Sequence, residues 1–316
     1  MLKVKEKVAT RDAYGSALVL LGERNPNIVV LDADLAKSTK TIKFKNKFPD
    51  RFFDMGIAEA DMMGTAAGLA AAGKIAFAST FAIFATGRAW EQIRNSICYT
   101  NLNVKIAASH AGIAVGPDGS SHQSIEDIAI MRVIPNMKIV VPADGTETEQ
   151  AVAALAETPG PAYLRLGRSA VPFIYDSSYR FTLGKASVLR EGSDVAIVAA
   201  GTMVQPALKA ADILSEERIE ARVINMSSIK PIDREAIVAA AQETAGIVTA
   251  EEHSIIGGLG GAVAEVVGET APAPVVRIGV RDVFGQSGEA GELMEFYGLT
   301  AGKIAEAASR IVSQKR

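Results

Sequence analysis

Two hydrophobic rhythms take turns along this chain. Short apolar runs rich in β-branched residues read as buried strands. Longer stretches with apolar positions three or four residues apart read as helices. The first helix is expected over 10–22 (TRDAYGSALVLLG), with Ala13, Ala17, Leu18 and Leu21 on one face and Thr10 as its cap. IVVLDAD (28–34) reads as a buried parallel strand ending in two aspartates at a functional edge. A smooth helix of small residues follows over 57–73, then a strand over 74–81, a helix over 87–99 and a strand over 103–110. Residues 111–127 (AGIAVGPDGSSHQSIED) are Gly- and Ser-rich and begin as loop. A strand over 137–144, a helix over 146–156 and a strand over 161–168 complete this series.

Residues 171–194 are mixed and turn-rich, and they break the rhythm. A second series follows: strand 195–201, helix 203–215, strand 220–231, helix 233–243, strand 246–252, helix 258–268, strand 274–280 and a closing helix over 300–313. Regular alternation of strand and helix implies parallel sheets covered on both faces. The expected fold is α/β with two domains, each a mainly parallel sheet flanked by helices. The domains are placed at 1–173 and 193–316, joined by a linker over 174–192.

Length agrees, since 316 residues exceed one small domain. A net charge of -3 supplies no basic field for nucleic acid. The lysines over 37–47 read as a solvated face. Cys98 is the sole cysteine, so an intrachain disulfide is excluded, and its apolar surroundings suggest a buried small hydrophobe. Residues 1–15 lack a signal core, and the Ala-rich run 64–73 is too short to span a bilayer. A cytoplasmic protein with no nucleic-acid or membrane partner is expected.

The chain's three histidines, His110, His122 and His253, follow predicted strands or lie in Gly-rich loops. Ligands of open α/β sheets bind at strand carboxyl ends. His110 and His122 flank Asp118 in one loop, which favours a functional pair; His253 reads as a satisfied loop histidine. No zinc-ligand spacing and no GxSxG elbow is present. GGLGG (257–261) is a poor dinucleotide fingerprint and reads better as close helix packing. Glu59 opens the smooth helix almost without charged neighbours. It is either a buried acid able to donate a hydrogen bond to a ligand nitrogen or a carboxylate placed on the helix dipole. Phe81 and Phe84 suit core packing, or a stack on a heteroaromatic ring.

The ordered set ATRDAYG, DADLAKS, GIAEADMMG, STFAIF, SHAGIAVGPDGSSHQSIED, IPNMKIVVPADGTE and LRLGRSAVP resembles transketolase over nearly the whole chain. The resemblance implies a pyrimidine-binding domain followed by a transketolase C-terminal domain, and thiamine diphosphate as cofactor. It implies cofactor contacts from Asp34, Glu59, Phe81 and Phe84, with Glu59 on the aminopyrimidine ring. It implies that His110 and His122 assist catalysis, and that Arg11, Ser38, His110, Asp118 and Arg168 hold the sugar phosphate. The family's GDG motif, with its following asparagine, is absent from this sequence. The diphosphate and its divalent cation, Mg2+ or another, are therefore expected on a separate N-terminal subunit. The expected enzyme is a heterotetramer that also self-associates through both domains of this chain, in the pentose phosphate pathway. 1-Deoxy-D-xylulose-5-phosphate synthase, the beta subunit of 2-oxo-acid dehydrogenases and a non-catalytic module of the same fold are the rival readings.

Overall fold

The structure is a computed structural model and describes residues 7–315. The reading of residues 1–15 as lacking a signal core thus rests partly on residues 1–6, which lie outside the described residues. A first sheet runs in the order Ser228–Lys230, Lys138–Val140, Ala162–Arg165, Val104–Ser109, Ile75–Phe81, Ile28–Asp32, Phe52–Asp54. Neighbours pair in parallel, except that Ser228–Lys230 runs antiparallel to Lys138–Val140. Its inner strands Ile28–Asp32 and Val104–Ser109 are buried at every position, the charged Asp32 and Lys105 included, as strands covered on both faces must be. Helices Thr10–Arg24 and Gly145–Glu157 cover one face; helix Glu59–Ala71 and the segment 84–98 cover the other.

A second sheet runs Val275–Val280, Ile247–Ser254, Val195–Ala199, Ala221–Asn225, Ser187–Arg190, parallel except for the last strand. Ser187–Arg190 lies within the stretch expected to link the domains. Helices Val204–Glu216 and Ala301–Lys315 pack on one face, Arg234–Glu243 and Leu259–Thr270 on the other. One apolar cluster continues from Val29 and Leu31 of the first sheet to Val263 and Val267 of the second unit's helix. Both units are thus mainly parallel α/β, as the alternation implied.

Several expectations change in detail. The stretch 220–231 is two strands in different sheets: the chain leaves the second sheet after Asn225 and enters the first at Ser228. Asn225 Nδ2 marks the crossing, donating to both oxygens of Glu147 at 3.0 and 2.9 Å. Thr10 does not cap the first helix; Ala9 holds that position, and the Thr10 hydroxyl accepts from Gly167 N at 2.8 Å. The helix expected over 87–99 is a short α turn, Trp90–Gln92, between wide π turns at Phe84–Arg88 and Ile93–Cys98. Cys98 is buried there. Among the described residues, no helix is long and apolar enough to cross a membrane.

Candidate active site

The first sheet points its strand carboxyl ends at one edge. Asp34 follows Ile28–Asp32, Phe81 ends Ile75–Phe81, His110 follows Val104–Ser109 and Arg168 follows Ala162–Arg165. That edge is where an open parallel sheet leaves a crevice.

His110 sits at φ 57°, a left-handed backbone that non-glycine residues rarely adopt. Its ring lies nearly parallel to Phe81, centroids 3.8 Å apart. Arg11 Nη1 is 3.0 Å from His110 Nε2, and Ser109 Oγ is 2.9 Å from Nδ1. A guanidinium can only donate, so Nε2 accepts and Nδ1 carries the proton toward Ser109. Burial, then the charge of Arg11, then those of Arg168, His122 and Lys40, push His110 down to about 3. The imidazole is neutral and stands among cations, a setting that suits an anionic ligand. Arg11 Nη1 also donates to the carbonyl of Ser38 at 3.0 Å.

Phe81 and Phe84 stack at 5.7 Å and 15°. His122 meets both rings edge-on, at 6.3 and 5.3 Å. The Arg88 guanidinium lies 4.1 Å from the centre of Phe84, and its Nη1 donates to Glu59 Oε1 at 3.0 Å. Glu59 is only 4% exposed at the first turn of its helix. A continuous line of contacts therefore runs Glu59, Arg88, Phe84, Phe81, His110, Arg11.

The other expected residues stand apart from that line. Arg168 pairs with Asp118 at 3.2 Å and donates to the carbonyl of Val115, so these two side chains engage each other. Asp34 is exposed at φ 60°, its amide bonded to Asp54 Oδ1 at 3.2 Å; among the described residues nothing joins its side chain to the ring cluster. His253 is not a loop residue. It is wholly buried in strand Ile247–Ser254, 3.9 Å from Asp127 and 3.7 Å from Glu251. Among the described residues no group of three or more His, Cys, Asp or Glu could hold a metal ion.

The family model for "Transketolase, pyrimidine binding domain" matches residues 6–173, and that for "Transketolase, C-terminal domain" matches 184–304. The chain belongs to the transketolase family. A "putative transketolase C-terminal section" of Methanocaldococcus jannaschii is 50% identical, covering 94% of this chain and 94% of that one. A 6-deoxy-6-sulfo-D-fructose transketolase subunit of a Clostridium species is 44% identical over 96% of this chain and 95% of its own. A solved structure described as the inactive beta4 tetramer of a split-gene transketolase superposes with a TM-score of 0.92 at 58% identity. That superposition covers 98% of this chain and all of the other.

Against this transketolase frame, sequence reasoning missed two cations. Arg88 escaped because only the fold brings the end of the FATGR turn onto Glu59, twenty-nine residues earlier. Lys40 was grouped with the solvated lysines, yet it turns inward to Asp12 at 3.3 Å and adds to the field on His110. GGLGG serves packing, as its spacing suggested. A Cβ on Gly258 would lie 2.1 Å from Glu251 Oε2, whose carboxylate accepts from the amides of Leu259 and Gly260.

Proposed function

We propose that this chain is the C-terminal subunit of a two-subunit transketolase. It moves a two-carbon ketol unit from a ketose phosphate to an aldose phosphate, with an N-terminal subunit that holds the diphosphate and its divalent cation. The observation that carries this reading is the line from buried Glu59 through the stacked Phe84 and Phe81 to neutral, cation-ringed His110. The residues suit the pyrimidine half of thiamine diphosphate: a flat aromatic shelf beside a buried carboxyl matches a heteroaromatic ring with a nitrogen to hydrogen-bond. Glu59, Phe81 and Phe84 would hold that half, and Asp34 would lie near the thiazolium side of the cofactor. When bound, the cofactor supplies the carbanion chemistry that breaks and forms carbon–carbon bonds.

The chain's own residues then bind and orient. Arg88 turns off Glu59 to free its carboxyl for the ring nitrogen. His110, whose Nδ1–H toward Ser109 leaves Nε2 an acceptor, accepts a hydrogen bond from a sugar hydroxyl once Arg11 turns to the phosphate. His122, edge-on to the aromatic pair, would accept or donate a proton near the reacting carbon. Arg11 and Arg168, beside Ser38 and Asp118, hold the phosphate end, where guanidinium forks match its oxygens. The same cations suit a sulfonate, the group carried by the substrate named for the Clostridium relative.

The test mixes this chain with a GDG-containing partner, thiamine diphosphate and Mg2+, and supplies xylulose 5-phosphate with ribose 5-phosphate, or 6-deoxy-6-sulfo-fructose as donor. Activity in the mixture and not in either part supports the proposal; activity of the chain alone overturns the division of labour. In the mixture, Glu59→Ala lowers kcat by ~10²-fold or more with its melting curve intact. Near-normal turnover of that variant removes Glu59 from the site.

A further inference from the structure

The loop that carries Asp118 and His122 is held from outside its own domain. Residues 112–119 bend through Gly112, Gly116 and Gly119, all at positive φ. The amide of Ala114 donates to Glu252 Oε1 at 2.7 Å, and Glu252 comes from strand Ile247–Ser254 of the second sheet. Its other oxygen accepts from the Thr202 hydroxyl at 2.6 Å. Glu252 is 3% exposed, so both oxygens are committed within the protein. The approach is close enough to need glycine: a Cβ on Gly112 would lie 2.2 Å from Glu252 Oε1, at φ 84°. Ile113, next in the chain, sits in the apolar core of the second unit. Across the loop, Gln123 Nε2 donates to the carbonyl of Gln286 at 2.9 Å. A Cβ on Gly119 would meet Ser287 Oγ at 2.6 Å, so the second unit covers this side as well.

We propose that Glu252 is a positioning residue for sugar-phosphate recognition: through Ala114 it sets the loop so that Asp118 and His122 face the crevice. A carboxylate that served only to join the domains had no need to bond the backbone of this loop. Here one of its oxygens ends on the loop that bears Asp118, an expected substrate contact, and His122, an expected catalytic residue, and Arg168 and Ser169 grip the same loop at Val115 and Ala114. The inference rests on the ketol-transfer reading for its substrate and on the geometry alone for its loop.

Two measurements separate these. In the full chain, Glu252→Ala should speed amide hydrogen exchange over 112–119 about tenfold while the sheets keep their protection. Glu252→Gln, which retains an acceptor for Ala114 and a partner for Thr202, should restore it. In the mixture with the partner subunit, Glu252→Ala should lower kcat/KM for the donor on the order of 10²-fold, mostly through KM. Thiamine diphosphate affinity should hold, and Glu252→Gln should stay within about threefold of the natural chain. If Glu252→Ala fails to fold, Gly112→Ala displaces the same loop and should give the same pattern. Unchanged exchange over 112–119 overturns the positioning role whatever the activity. Faster exchange with an unchanged donor KM overturns its part in recognition. A natural mixture inactive on every sugar phosphate overturns the ketol-transfer reading instead, and the exchange result still decides the loop.

Discussion

His110 holds its neutral ring buried among cations, and that has a signed consequence for pH. In the unfolded chain the residue binds a proton below about 6.5. In the fold it does so only near 3. Between those values the unfolded state binds more protons, so this residue's contribution to stability is complete above pH 6.5 and is lost as pH falls toward 3. The imidazole resonances of His110 should show no titration between pH 8 and about 4 in NMR spectra of the free chain; an inflection near 6.5 contradicts the packing described. Asp127 is likewise held below its ordinary value, so its contribution is also lost as pH falls, but there the fold favours the charged form. Burial alone would raise it, but the charge and the hydrogen bonds of Arg165, at 2.7 and 3.1 Å, hold it below the ordinary range. Asp127→Ala leaves Arg165 buried and uncompensated and should cost ~3–5 kcal/mol in urea unfolding. Sequence made Glu59, His110 and His122 visible because their motifs are local. Arg165, Asp127 and Glu252 were not visible, because a buried charge is recognised only by the partner that neutralises it, and each partner here is distant in sequence.

Helix Glu59–Ala71 shows what a pattern can and cannot tell. Met62, Met63, Ala66, Ala67 and Ala70 face the first sheet, as its apolar content required. Gly64 and Gly68 face outward, and a Cβ on either would meet nothing within 4 Å. Among the described residues no close partner covers these two positions, which suits a surface that receives another subunit. Gly64→Leu should therefore leave the melting temperature of the free chain nearly unchanged while weakening association with the partner about tenfold or more, the scale of overpacking at ~1–3 kcal/mol. Titration calorimetry of the two subunits measures it, and unaltered affinity excludes this face. Elsewhere the long alternation of strand and helix was legible throughout. The segment 36–54 was not, because its elements are short and its lysines hide the apolar period of Ile42 and Phe44. No Gly or Pro separates the two strands within 220–231, so nothing local announces that they belong to different sheets.

At the scale of the molecule, the two units are less separable than their sequence rhythm implied. They share one apolar cluster, Ile113 and Ile125 complete the second core, and Ser228–Lys230 completes the first sheet. A chain ended near residue 185 should lose cooperative melting by circular dichroism, where an independent first domain would keep it. The borrowed strand also bears on how the protein is made. As the polypeptide leaves the ribosome, strands 28–165 of the first sheet can assemble, yet Lys138–Val140 keeps an open edge until residue 230 has emerged. An unpaired edge invites pairing with a neighbouring chain. Synthesis that pauses or stops within those sixty-odd residues after the first sheet's own strands leaves a nascent protein with a sticky flank, bare until Ser228–Lys230 arrives to cover it.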